Sequence, residues 1–239
     1  FNFVLTNAED ISLTDDGFST VNLTNSSTMN VVGKGLNQVI QIQVGNGFWT
    51  SDKTGNTLNF ANASYNLINE QGASEAANDI LTFTSANLTL EENQTWENEI
   101  ALDNTTLDLS NKNAGDKYTF TNIDARSNNN KISVEVDFVY DEAEGTSPTA
   151  DKIIVDKGSG FLELTQVFIT DDNGGIVNYK DNEGNAIPIQ IIQNIGENAS
   201  VQLETNEDIE ILSWSTNVYK YSINSAISDE EKRLIDSIT

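Results

Sequence analysis

The sequence predicts an all-β protein, a parallel β-helix closed by a C-terminal capping segment, and three observations carry that expectation. Short runs in which apolar and polar residues alternate recur from Phe1 to Thr121: FNFVL, FSTVNLT, VIQIQV, TLNFANASYNLI, ILTFTSANLTL and EIALDNTTLDLS. Alternation with period two places one face of each run in a core and the other in water. Between the runs lie clusters of Asn, Asp, Gly and Ser, which form turns because they tolerate left-handed backbone or bond their own main chain. Finally, the runs repeat: LNFANAS from Leu58 matches LTFTSAN from Leu81 at an offset of 23, LTL at Leu88 matches LDL at Leu107 at 19, and Ile80 precedes Ile100 by 20. Offsets near 20 residues suit coils that stack their inward side chains on the coil before.

A meander of hairpins is the competing architecture. Hairpins favour two-residue Asn-Gly or Asp-Gly turns, and these occur only at Asn46-Gly47, Asn173-Gly174 and Asp16-Gly17. Residues 1–121 are therefore expected to form successive coils.

After Asn122 the texture changes. KISVEVDFVY sets Ile132, Val134, Val136, Phe138 and Tyr140 on one face of a longer strand, the loop DEAEGTSPTA follows, and ADKIIVDKGSGFLELTQVFI supplies two apolar runs joined at Gly158-Ser159-Gly160, which reads as a turn. Residues 122–227 are expected to form the last coils and a cap over the exposed strand edge, a feature that prevents end-to-end association. In the tail, Ser228 and Glu231 have the spacing of a capping box, Asp229 and Glu230 suit the positive end of a helix dipole, and Leu234, Ile235 and Ile238 share a face. A helix is therefore expected to begin within 228–239.

Composition limits function. The 239 residues hold 37 Asp and Glu against 12 Lys and Arg, a formal net charge of −25, so nucleic acid and anionic membranes are poor partners. There is no His and no Cys, which excludes Ser-His-Asp hydrolysis, thiol catalysis and ordinary zinc sites within this chain. The absence of Cys also suits a bacterial surface protein better than a small disulfide-framed secreted domain. No apolar run approaches the roughly 18 residues of a membrane helix. Residue 1 is Phe, with no charged segment leading into an apolar one, so a signal peptide is expected to lie outside the chain.

Carboxylate chemistry survives these exclusions. Glu91, Glu92, Glu97 and Glu99 around Trp96, and Asp141, Glu142 and Glu144, are the acidic groups from which a glycosidic pair would be drawn, but they read as solvated loops. A lyase would need a basic proton acceptor, and Arg126 and Arg233, the two arginines, lie in no evident acidic cluster. DDNGG from Asp171 and KDNEGN from Lys180 lack the calcium-loop spacing. Trp49 and Trp96 read as turn-borne and open to sugars, whereas Trp214 in EILSWST reads as core. Seven Asn-x-Ser/Thr patterns begin at Asn22, Asn25, Asn62, Asn87, Asn93, Asn104 and Asn198, as chance alone supplies in a chain with 32 Asn. No catalytic residue, cofactor site or metal site is assigned.

The segment from Leu107 to Ile223 resembles the C-terminal part of a pertactin-like autotransporter passenger. Five features carry the resemblance in order: LDLS from Leu107, KISVEVDF from Lys131, ADKIIV from Ala150 followed by GSG and FLELTQV, IPIQIIQ from Ile187, and VYKYSI from Val218. The polar insert Asp171–Ala186 and Asn217 depart from the family pattern. The resemblance implies a right-handed parallel β-helix whose cap promotes folding outside the outer membrane, with 228–239 beginning a helical linker to a translocating β-barrel outside this chain. The expected function is non-enzymatic: adhesion, or a presentation stalk, at the bacterial surface. The expected partners are host or cell-surface glycans or proteins, with self-association between rods a further expectation. A glycan-cleaving β-helix of the phage-tail type is the alternative, and a groove carrying paired carboxylates and exposed aromatics is the feature that would mark it.

Overall fold

The computed structural model describes residues 2–4, 11–13, 21–44, 49–68, 78–90, 92–139, 147–170, 190–213, 223–228 and 233–238, and these hold strands but no helix. The first coil is β1 (Asn2–Val4), β2 (Ile11–Leu13) and β3 (Val21–Leu23), and the second is β4 (Thr28–Val32), β5 (Val39–Gln43) and β6 (Trp49–Ser51). Then follow β7 (Thr57–Ala61), β8 (Ser64–Ile68), β9 (Ile80–Thr84), β10 (Asn87–Leu90), β11 (Thr95–Asp103), β12 (Thr106–Asp108) and β13 (Lys117–Ala125). The chain continues through β14 (Lys131–Val139), β15 (Ser147–Ala150), β16 (Lys152–Thr170) and β17 (Ile192–Ser213) to β18 (Ile223–Ser228) and β19 (Arg233–Ile238).

Pairing is parallel between coils. One face is the ladder β1-β4-β7-β9-β11-β13-β16, a second is β2-β5-β8-β10-β12-β14-β16, and β3 with β6 begins a third. The third face resumes where the first halves of β11 and β13 pair, Thr95 opposite Thr119, and continues as Lys117–Phe120 opposite Lys152–Val155 and then Ile153 opposite Ile192. This is the parallel β-helix the sequence predicts. Leu58 lies opposite Leu81 and Leu88 opposite Leu107, the offsets of 23 and 19 found in the repeat. The third offset is corrected by one: Ile80 lies opposite Glu99, and Leu81 opposite Ile100. Ile80 is half-buried on the outer side and Ile100 is buried, so aligning the two isoleucines matched opposite faces of the sheet.

The core is a set of in-register stacks. Met29, Leu58, Leu81, Ile100 and Ile123 follow one another through the first face, with Val31, Phe60, Phe83, Leu102 and Ala125 beside them. In the second face the column is Ile40, Tyr65, Leu88, Leu107 and Ile132. The Phe60 and Phe83 rings stack at 5.2 Å, and Tyr65 sets its ring edge-on to Phe83 at 5.9 Å. Full burial of each such side chain contributes about 1.5–3 kcal/mol, so the columns dominate the stability of a coil.

Asn and Ser make the tight corner between the first and second faces. Asn62, Ser85 and Asn104 adopt φ of 57°, 49° and 51°, each followed by a buried small residue, Ala63, Ala86 or Thr105. Left-handed backbone is open to Asn at low cost and closed to β-branched side chains. The corners hydrogen-bond to one another, Asn62 N to Thr84 O at 3.2 Å and Ser85 N to Asp103 O at 3.0 Å. In the next coil the corner lengthens to residues 126–130, and the Asn130 side chain accepts the Thr105 N–H at 3.1 Å where a main-chain oxygen would otherwise serve.

Longer strands do follow Asn122, but Gly158-Ser159-Gly160 is not a turn. β16 is continuous through it, with Gly158 opposite Ile123 and Gly160 opposite Ala125, so this strand supplies all three faces of one coil. The two glycines have φ of 135° and 112°, and a Cβ built on Gly158 would stand 1.8 Å from the Ile123 oxygen. Glycine is required here because the bending strand lies against the backbone of the coil before it.

Two antiparallel pairs occur among the described residues. β12 covers only Lys131–Ser133 of the longer β14, and β15 pairs antiparallel with Val136–Val139, covering the edge this step would leave bare. The other pair, β18 with β19, lies beside β17. β19 occupies residues for which the sequence predicts a helix: the capping-box signal is local and weak, and a partner strand satisfies the same backbone groups.

Replacing Gly158 with Ala is expected to lower stability by about 3 kcal/mol or more, because clash and disfavoured φ act together. Ser159→Ala, at an exposed position between the two glycines, is expected to stay within about 0.5 kcal/mol. Urea unfolding of both variants checks the contrast.

Candidate functional site

The sequence candidates fall in places that remove them from a surface site. Trp49 lies in β6, buried, and its Nε1 donates to Asp79 Oδ2 at 3.1 Å. Trp96 is also buried, in β11, and its Nε1 has no hydrogen-bond partner among the described residues. Both were expected on turns open to sugars; their alternation within strands turns them inward. Glu97 and Glu99 lie on β11 rather than in a loop, exposed and half-exposed respectively. Glu99 accepts from Asn122 at 2.9 Å and pairs with Arg126 at 3.4 Å, while Arg126 also bonds Asp124 at 2.8 Å. Arg126 thus does sit among acids, correcting the expectation that it would not. Glu92 is exposed in the turn before β11. Glu91, Asp141, Glu142, Glu144, the DDNGG and KDNEGN segments, Trp214 and Tyr140 lie outside the described residues. Arg233 falls in β19.

What the fold does bring together is buried polar groups at its corners. The residues entering the first face at β4, β7, β9 and β11 are Ser27, Asn56, Asp79 and Asn98. Asn56 Oδ1 accepts the Ser27 N–H at 2.9 Å, Asp79 Oδ1 accepts the Asn56 N–H at 3.1 Å, and Asn98 Nδ2 donates to the Asp79 carbonyl at 3.0 Å. Asp79 further accepts Ser51 Oγ at 2.8 Å. This ladder satisfies corner backbone that the strand ladders leave unpaired.

A second chain contains three carboxylates at the connection between the second and third faces. Asp116, Glu135 and Asp151 are each at most 1% exposed. Asp151 Oδ1 accepts the Asp116 N–H at 3.2 Å and Oδ2 the Glu135 N–H at 2.8 Å; Glu135 Oε2 accepts the Lys112 N–H at 2.6 Å. Asp116 accepts amide donors from Asn93, Asn111 and Asn113 at 2.7, 2.7 and 3.1 Å. Burial pushes the Asp151 carboxyl up to about 8, its two main-chain donors pull the other way, and the charges of Asp116 and Glu135 add to the rise. The Tyr118 hydroxyl, 3.3 Å from Asn111 Nδ2, is pushed above its ordinary range by burial first and then by Asp151 and Asp116. On the exposed surface, by contrast, Asp52 is lowered to about 2, chiefly by the Thr54 hydroxyl.

Sequence reasoning missed this chain, although a signal was present. Asp151-Lys152 in ADKIIV repeats Asp116-Lys117 in GDKYTF, and Lys117 lies opposite Lys152 in the third face. Each pair places a buried acid beside an outward base. Among the described residues no three acidic groups converge in an arrangement that would hold a metal ion.

Between the first and second faces the chain uses residues 33–38, 62–63, 85–86, 104–105 or 126–130, and from β12 on the second face to β13 on the third it uses 109–116.

These features define the class: a parallel β-helix protein with stacked polar corners. The sequence matches no protein-family model and no curated protein.

Asp79→Ala is expected to destabilise the chain by about 3–5 kcal/mol, since Trp49 Nε1, Ser51 Oγ and both Asn56 donors each lose a buried acceptor. Asp79→Asn, which keeps one acceptor oxygen, is expected to recover part of the loss. Urea unfolding followed by tryptophan emission measures both.

Proposed function

We propose that the chain is a non-enzymatic shaft of a bacterial surface protein, acting in adhesion or as a presentation stalk, in the manner of a pertactin-like autotransporter passenger. In this reading the C-terminal coils promote folding after export, and a translocating β-barrel lies outside this chain. The observation that carries it is the parallel stack of coils held in register by inward columns, Met29 to Ile123 on the first face and Ile40 to Ile132 on the second. Weak contacts made by several coils of a rigid rod add as avidity. The chain's net charge of −25 suits neutral glycans or basic protein surfaces better than acidic polysaccharides.

Purified chain is expected to bind cultured cells or a neutral glycan array, and to lose that binding, with an unchanged unfolding midpoint, when 140–146 and 171–186 are replaced by Gly-Ser linkers of equal length. Binding that survives both replacements removes these two acidic segments from the interaction. Failure to bind any cell or glycan leaves the adhesive role without support.

A further inference from the structure

We propose that the chain Asp116–Asp151–Glu135 is a proton-dependent latch that holds the 109–116 connection against the coil formed by β14 and β16. The argument starts from what each carboxylate holds. Asp151 fixes the main chain at Asp116 and at Glu135, the two residues bearing the other acids, and Glu135 fixes Lys112 at the tip of the connection. Lys112 adopts a φ of 71°, a left-handed conformation uncommon for lysine, and its N–H donates to Glu135 Oε2 at 2.6 Å. Asn111 and Asn113 close the loop back onto Asp116. The conformation of the connection is therefore written by carboxylate oxygens.

The groups that face this chain are mostly acids themselves. Tyr118 from β13, Glu92 from the turn before β11 and Asp108 from β12 contribute negative or ionisable neighbours, while Lys117 and Lys152 begin β13 and β16 on the outer, solvent-facing side. Asp151 is buried with the charges of Asp116 and Glu135 beside it, so the folded state favours the form of Asp151 that keeps its proton. Asp151, the most central, is the group burial raises to about 8.

The sign follows from that proton. An acid raised in the folded state binds its proton more tightly there than in the unfolded chain, where it titrates near 4. Its contribution is favourable below that value, declines as the pH rises, and is lost once Asp151 ionises near 8. Ionisation places like charges side by side, and the connection is released before the coils separate, because the inward stacks are untouched.

Amide hydrogen exchange, corrected for intrinsic rates, tests this at pH 6 and pH 9. Protection at Lys112, Asp116 and Glu135 is expected to fall at least tenfold between the two, while the corner amides of Ser85 and Thr106 keep theirs. Glu135→Gln retains an acceptor oxygen for Lys112 but removes a neighbouring charge, and should move the midpoint of the loss to lower pH. Asp151→Asn should abolish the pH dependence; if it does not fold, the Glu135→Gln arm decides alone. Parallel loss at the latch and corner amides, or an unmoved midpoint in Glu135→Gln, overturns the proposal.

Discussion

Every coil must hydrogen-bond its main chain to the coil on either side without slipping, and the rest of the molecule follows from that requirement. Because side chains alternate with period two, a slip of one residue would turn a whole inward column to water. The columns Met29 to Ile123 and Ile40 to Ile132 therefore act as register marks as well as core. The corners must then turn the chain in as few residues as possible, which explains why Asn62, Ser85 and Asn104 stand at the same place in successive coils. The abundance of Asn is a geometric demand before it is anything else. It also accounts for two of the Asn-x-Ser/Thr patterns, at Asn62 and Asn104, where a left-handed residue, a small buried residue and a polar strand-entering residue follow in turn.

Polar burial is the second consequence. A coil that turns sharply three times leaves main-chain groups at its corners that no strand can pair. Asn56, Asp79, Asn98 and Asn130 go inside to meet them, each satisfied through neighbouring coils. Such groups are costly unless fully bonded, and once bonded they penalise any alternative stacking of coils. The carboxylate chain at Asp116, Glu135 and Asp151 extends this logic to the longer coils, as Asn56, Asp79 and Asn98 do nearer the N-terminus.

How much of this the sequence disclosed depended on the coil. Where coils are shortest, between Leu58 and Leu107, apolar alternation and Asn-rich corners repeat closely enough that the coil architecture was legible together with two of its offsets. Where connections lengthen, the repeat dissolves: Tyr118 and Ile153 are partners 35 residues apart, and the intervening β14 and β15 hide the match. The Asp-Lys pair marks this register and is visible only once the spacing is known. Trp49 and Trp96 were misplaced for a related reason. They stand beside turn-forming residues, but the third face is built of strands so short that a buried position and a turn are two residues apart. The tail failed differently, since a capping box describes what a segment prefers alone, and β19 has a partner in β18. None of the buried acids could be recognised as such from composition, because 37 acidic residues in one chain look alike until burial sorts them.

The unbroken strands β16 and β17 give the rod a mechanical character that coils of separate short strands lack. β16 runs unbroken round three faces, bonded along its length to β13 and β14 on one side and to β17 on the other. Under tension along the stack, coils made of separate short strands can peel one face at a time. The β16 coil has no such weak seam, and a pull on it is shared around the whole circumference at once. It would behave as a collar, past which unravelling from either end stalls.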